Sequence, residues 1–279
     1  MSQTLTPEFI TGGGGCRLAV YEGGNPSGPA IVFMHGFLGS HRYWQRQFDS
    51  PLAAEFRLVA FDLRGHGSSE VPPEADSYSD AALWAADLAA VLRHKALDRP
   101  VLVGFSYGPF LIADHLRAAG ADSIGGLVFS GGLPKLGSDE AMGMLGEDLR
   151  ALFGELLSDD DGTRDAATRV FMPLLTAKPL DETLLAPLTD GALQVPPAVR
   201  MGMFGRQFDN DDLLASLELP LLVVQGEDDR IVLPHAADHI AATAPKAQRS
   251  TYPGVGHMPF LEHPERFNRE LAAFTRAVR

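Results

Sequence analysis

The chain has 279 residues, 45% of them hydrophobic, and 36 Asp+Glu against 23 Lys+Arg give a formal net charge of −13. A chain of this size buries about 75% of its unfolded surface, so it needs no staples, and its single cysteine, Cys16, excludes both an internal disulfide framework and a cysteine zinc cluster. The acidic balance, without a clustered Lys/Arg stripe, excludes binding of nucleic acid by counterion release and attraction to an anionic membrane surface.

The N-terminal MSQTLTPEFITGGGG has no cationic stretch followed by an apolar run, and no later stretch approaches the ~18 apolar residues of a membrane span. A soluble protein of the reducing cytoplasm is expected. The glycine run Thr11 to Gly15, between two short extended segments, predicts a hairpin turn. Apolar runs rich in Val, Ile and Phe then recur at Ala30 to Met34, Arg57 to Phe61, Val101 to Phe105, Gly126 to Ser130 and Leu221 to Gln225. Their composition and length predict buried strands. Segments with helical spacing lie between and after them, at Ser79 to His94, Tyr107 to Ala119 and Pro264 to Val278. Strand alternating with helix predicts a parallel sheet with right-handed crossovers.

Residues 134–214 break this alternation. They hold no β-branched run, only helix-like pieces separated by Pro173, Pro179, Pro187 and the pair Pro196–Pro197. The expected organisation is a core of residues 1–133 and 215–279 with a helical cap of residues 134–214. Met142, Met144, Met172, Met201, Met203, Phe171 and Phe204 in the cap suggest an adaptable apolar cover over a pocket.

At the end of the third apolar run stands Gly104-Phe105-Ser106-Tyr107-Gly108, a G-x-S-x-G between a strand and a helix. A serine on such a turn takes a strained backbone conformation, and the flanking glycines let strand and helix approach. The turn lifts the hydroxyl to a helix N-terminus, where backbone N–H groups favour developing negative charge. A serine hydroxyl needs a base, and the base needs an acid to orient it. Of the nine histidines, His257 in Gly254-Val255-Gly256-His257 follows the short extended run Gln248 to Tyr252 and precedes the last helix, so it is the expected base. His35 and His66 sit in glycine-rich loops and read as loop-shaping. His94, His115, His235, His239 and His263 fall in or beside helices and read as solvated. After Leu221 to Gln225 comes Gly226-Glu227-Asp228-Asp229-Arg230, from which Asp229 is the expected acid with Asp228 in reserve. Oxyanion donors are expected from the backbone N–H of Tyr107 and, after the first run, of Phe37 in His35-Gly36-Phe37. Trp44, Phe110, Met142 and Phe204 are expected pocket walls. The histidines form no tight ligand cluster and HExxH is missing, so neither metal nor cofactor is expected.

Taken in this order, GFSYG, the HGF turn, Asp62-Leu63-Arg64-Gly65-His66-Gly67-Ser68-Ser69 and the terminal GHMPFLEHPE resemble the α/β-hydrolase fold superfamily, in its serine esterase and haloperoxidase-like branch. The resemblance runs over nearly the whole chain. It implies a mostly parallel eight-stranded sheet flanked by helices, a helical cap insertion, and a Ser106–His257–Asp229 triad with an oxyanion hole from Phe37 and Tyr107. The family's G-x-x-D turn matches Gly226 to Asp229. Serine at position 106, where haloalkane dehalogenases and most epoxide hydrolases carry aspartate, argues against those activities. Pro109 departs from the family pattern, where glycine or another small residue is usual, and with Phe110 it is expected to narrow the pocket floor.

The expected function is hydrolysis of carboxylic esters or lactones of a small to medium apolar acid through an acyl-enzyme on Ser106, falling as His257 takes up a proton. Two alternatives share the scaffold. One is a cofactor-independent oxygenase, a hydroxynitrile lyase or a C–C or amide hydrolase that uses His257 as base; the other is a non-catalytic small-molecule receptor. Monomer and dimer are both open.

Overall fold

In the computed structural model, which describes residues 5–279, the apolar runs lie side by side in one eight-stranded sheet. The chain first forms β1 (Glu8–Thr11), β2 (Arg17–Gly24), β3 (Ala30–Met34), β4 (Arg57–Phe61), β5 (Val101–Phe105) and β6 (Gly126–Ser130). A short antiparallel pair outside the sheet follows, β7 (Lys135–Leu136) with β8 (Phe208–Asp209), and then β9 (Leu221–Gly226) and β10 (Ala247–Tyr252). The sheet order is β1-β2-β4-β3-β5-β6-β9-β10, antiparallel from β1 through β2 to β4 and parallel from β4 to β10. Every residue of β3, β5, β6 and β9 is buried, which is why each reads as a continuous apolar run rather than an alternation. β10 is an edge strand with an exposed, polar sequence, and accordingly gives a weaker signal.

The helices are the single turns α1 (Gln45–Phe48) and α2 (Leu52–Glu55), then α3 (Ala81–His94) and α4 (Gly108–Ala119). Between β6 and β9 come α5 (Asp139–Gly143), α6 (Glu147–Leu156), α7 (Asp161–Leu174), α8 (Glu182–Leu193), α9 (Pro197–Phe204) and α10 (Asp211–Ala215). The chain ends with α11 (Pro234–Thr243), α12 (Pro259–Glu262) and α13 (Pro264–Ala277). Asp80, Ser138, Asp160 and Asp181 start α3, α5, α7 and α8 by accepting a backbone N–H of the first turn.

Three local expectations are corrected. Pro173 and Pro187 do not separate helices but lie inside α7 and α8. Each removes one backbone donor, yet the helix continues, its packing held by buried Phe171 and Met172 before Pro173 and by buried Leu188 and Ala192 after Pro187. His115 is not solvated: α4 packs on α3 and buries it, and burial pushes its pKa down.

The DLRGHGSS stretch is a structural knot. Asp62 accepts hydrogen bonds from the His41 backbone N–H (2.7 Å), the Ser68 N–H (2.8 Å) and the Tyr21 hydroxyl (3.0 Å). Arg64 donates to both oxygens of Asp87 on α3 at 2.7 and 2.8 Å, with both side chains buried. His35 and His66 shape these loops as expected. His35 Nδ1 donates to Gly36 O (2.8 Å) while its Nε2 accepts from Leu63 N–H (3.0 Å), and His66 Nδ1 donates to Arg64 O (3.0 Å). Burial lowers their pKa values to about 4 and about 3.

Candidate active site

Ser106 follows the last residue of β5 and has φ +55°, a left-handed conformation that a non-glycine side chain adopts at a cost of about 1–3 kcal/mol. The surroundings hold it there. Its N–H donates to Ser130 O on β6 (2.9 Å), and the first turn of α4 continues directly from Tyr107. The glycines on either side cannot be replaced without a clash. A Cβ at Gly104 would lie 2.7 Å from Pro109 N, and one at Gly108 would lie 3.0 Å from Met34 O. Pro109 occupies the first turn of α4, where its missing N–H has no helical partner to lose.

Two loops, one after the neighbouring strand β3 and one after the edge strand β10, converge on this turn. After β3, a Cβ on Gly36 would lie 2.7 Å from Ser106 Cβ, so the HGF backbone is in contact with the serine and Phe37 comes next in the chain. After β10, the His257 ring lies 4.7 Å from the Phe105 ring, tilted by 52°, and a Cβ on Gly131 would lie 2.8 Å from its Nδ1. His257 Nδ1 donates to Asp229 Oδ2 at 2.8 Å, and both side chains are buried. Asp229 Oδ1 accepts the N–H groups of Ile231 (2.9 Å) and Val232 (3.0 Å). Asp228 is exposed, and Asp229 is the carboxylate that meets His257.

The loop that carries His257 is clamped by Glu262, a residue that sequence reasoning did not single out. Glu262 Oε1 accepts the Gly256 N–H (2.7 Å) and Oε2 accepts the Ala177 N–H (2.9 Å) from the α7–α8 connection. Burial raises its pKa, opposed by these N–H donors.

Ser106 and His257 line a narrow, partly enclosed cavity of about 30 Å³. Its other walls are Phe37, Phe105, Tyr107 and Phe110 from the strand-end loops and α4, Leu145, Leu149, Phe171 and Phe204 from the helical segment, and Leu133, Leu136, Leu175, Ile231 and Val232. Among the described residues that line it there is no Asp, Glu, Lys or Arg. Phe204 stands edge-on to Phe37 at 4.7 Å and to Phe153 at 4.8 Å, which fixes the roof by aromatic packing.

Of the expected walls, Phe110 and Phe204 face the cavity and Trp44 and Met142 do not. Trp44 closes a 3₁₀ turn and is buried between Phe33 (4.9 Å) and Phe260 (4.3 Å). Met142 lies on the solvent side of α5, 36% exposed. The adaptable methionine surface is likewise corrected: the walls are Phe, Leu and other apolar side chains, with no Met among them. Pro109 does not narrow this floor either. It lines a second apolar cavity behind α4 with Ala113, Leu116, Phe129, Leu217 and Ile240.

A family model described as the alpha/beta hydrolase fold matches residues 29–264. The crystal structure of the esterase RhEst1 from Rhodococcus sp. ECU1013 is similar with a TM-score of 0.91 and 34% identity, covering 100% of both chains. The non-heme haloperoxidase of Rhodococcus erythropolis is 27% identical over 284 residues, 95% of this chain and 98% of that protein. The probable oxidoreductase EphD of Mycobacterium tuberculosis is 40% identical over 109 residues, which span 38% of this chain but 18% of that protein's length.

Proposed function

This chain belongs to the alpha/beta hydrolase fold family, and within it we propose a serine hydrolase that cleaves carboxylic ester or lactone bonds of a small to medium apolar acid. Membership of a hydrolase family and likeness to an esterase structure support hydrolysis. The observation that carries the ester reading is the buried His257–Asp229 contact of 2.8 Å beside a serine held at φ +55° in a charge-free, apolar cavity.

In this reading Ser106 Oγ attacks the substrate carbonyl while His257 Nε2 takes its proton. Asp229 holds Nδ1–H and stabilises the imidazolium that forms. The backbone N–H groups of Phe37 and Tyr107 receive the oxyanion, helped by the N-terminus of α4. The Ser106–carbon bond forms, the carbon–alkoxide bond breaks, and His257 returns the proton to the leaving alcohol. Water then attacks the acyl-enzyme with His257 as base and restores Ser106. The helices between β6 and β9 act as a cap, with Phe171, Phe204, Leu145 and Leu149 covering the acyl group. A carboxylate or ammonium on that group would lose its hydration in these walls without gaining a partner, so uncharged acyl groups are selected. A lactone undergoes the same steps with its leaving alcohol tethered.

The test is turnover of p-nitrophenyl esters of increasing acyl length by wild type and Ser106→Ala. Turnover by wild type with an optimum at a short, uncharged acyl group, abolished in the variant, supports the reading. Equal rates in both would remove it.

A further inference from the structure

Gln225 is the penultimate residue of β9, and its side chain is fully buried. Its Nε2 lies 2.8 Å from Asp229 Oδ2, 3.2 Å from Gly226 O and 3.2 Å from Val232 O. Its Oε1 has no hydrogen-bond partner among the described residues. Three acceptors around one atom set the amide's orientation, because the flipped amide would turn its carbonyl oxygen toward all three. The side chain therefore presents a donor to Asp229 at the expense of a buried carbonyl left without a partner. An apolar residue continuing the run Leu221 to Val224 would avoid that cost. What it would lack is the N–H.

The hydrogen bonds of Asp229 show where that N–H acts. Oδ1 is pinned by the N–H groups of Ile231 and Val232. Oδ2 accepts from His257 Nδ1 at 2.8 Å and from Gln225 Nε2 at 2.8 Å. Gln225 is thus the group other than the histidine that fixes the oxygen on which the histidine depends. Its N–H and the imidazole N–H share that one carboxylate oxygen, so removing the amide donor leaves more of the oxygen's charge to the ring. We propose that Gln225 is a positioning residue for the acid–base pair: it holds Asp229 Oδ2 in line with His257 Nδ1 and shares the charge of that oxygen with the imidazole. This rests on the serine hydrolase reading given above.

Two variants separate the parts. Gln225→Met keeps the bulk and removes the donor. Gln225→Glu keeps the shape, and its carboxyl donates to Asp229 only while protonated, since two adjacent carboxylates resist ionising together. With p-nitrophenyl butyrate, Gln225→Met lowers kcat by about tenfold or more, the size seen when a group orienting a working ligand is lost, with KM within about twofold. Its labelling by a fluorophosphonate slows in parallel, and the acid limb of its pH profile moves to higher pH. Gln225→Glu exceeds Gln225→Met at the acid end and falls toward it as pH rises. In an Asp229→Ala background Gln225→Met costs nothing further, because the residue acts through Asp229.

An equal loss in the wild-type and Asp229→Ala backgrounds would mean a packing role and overturn the proposal, as would an unchanged kcat with a superimposable pH profile. If Gln225→Met fails to fold, as judged by its thermal transition, the pH signature of Gln225→Glu decides. Labelling that needs Ser106 but ignores Gln225 defeats this proposal alone. Absence of Ser106-dependent labelling in wild type defeats the hydrolase reading beneath it.

Discussion

Gly36 is packed so closely on Ser106 that a Cβ at position 36 would come within 2.7 Å of the serine's Cβ and 3.1 Å of Phe105 O. No side chain fits, so the HGF backbone is the part of that loop that meets Ser106. Gly36→Ala is expected to push the Phe37 N–H out of line while the sheet beneath stays folded. Loss of one oxyanion donor lowers kcat about 10²–10³-fold in known cases. Steady-state kinetics on p-nitrophenyl butyrate check this, and an unchanged kcat would show that the turn supplies no donor.

Leu133 lines both the Ser106 cavity and the apolar cavity behind α4. It is the shared wall, and its removal joins two apolar spaces. Leu133→Ala should move the acyl-length optimum to longer chains, raising the octanoyl-to-butyryl ratio of kcat/KM by about tenfold or more, the discrimination a methylene or two commonly carries. The p-nitrophenyl ester series measures it, and an unshifted optimum would place the end of the acyl pocket elsewhere.

Arg206, on the segment between α9 and β8, donates to Asp114 of α4 at 2.6 Å, and both side chains are buried. Arg206 also lies 4.0 Å over the Phe208 ring, and the Tyr107 hydroxyl beside it donates to Met203 O (2.9 Å), so this network bolts the helical segment to the helix that follows Ser106. Asp114→Ala leaves an unpaired buried cation and should cost about 3–5 kcal/mol of stability. The double variant Asp114→Leu with Arg206→Met should regain most of it. Denaturant titration of both tests the pair, and a double variant as unstable as the single would refute it.

Stability should fall as pH drops from 7 to 5. His35 and His66 take up protons at about 4 and about 3 in the fold because burial disfavours their cations, whereas unfolded histidine does so near ~6.5. Unfolding near pH 5 therefore binds about two protons at these sites. Asp114 works the other way: burial, only partly offset by Arg206, raises its pKa to about 6, so the fold holds a proton that the unfolded carboxyl releases down to ~3.9. Together these groups leave a net uptake of about one proton on unfolding, or ~1.4 kcal/mol lost per pH unit. Urea midpoints at pH 7, 6 and 5 should decrease, and Asp114→Asn should steepen the fall. A flat or rising series would contradict this.

The parts of the site that lie in one stretch of chain were legible in the sequence. Ser106 announces itself because its neighbours must be glycine and its strand is a continuous apolar run. His257 and Asp229, which meet at 2.8 Å, each stand on a loop after a strand, and strand ends of a parallel sheet meet at one edge. Residues whose role depends on what faces them were not legible. Gln225 reads as the polar end of a buried strand until Asp229 is seen four residues on, folded back over it. Glu262 looks like a solvated helix residue, and its partners Gly256 and Ala177 lie six and 85 positions away. Trp44 is not a wall: a large aromatic after the HGF turn suits the core as well as a pocket, and only its ring contacts with Phe33 and Phe260 separate the two. Met142 was misplaced because residues 134–214 carry apolar side chains on several faces, and the sequence does not say which face looks down.

The most direct measurement is the site of covalent modification by diethyl p-nitrophenyl phosphate, a phosphoryl mimic of the ester carbonyl. Wild type should release one equivalent of p-nitrophenolate, lose its esterase activity, and carry a diethylphosphoryl group on the peptide containing Ser106 by mass spectrometry, while Ser106→Ala does none of these. An adduct at another residue, or ester turnover that survives in Ser106→Ala, would contradict Ser106 as the nucleophile.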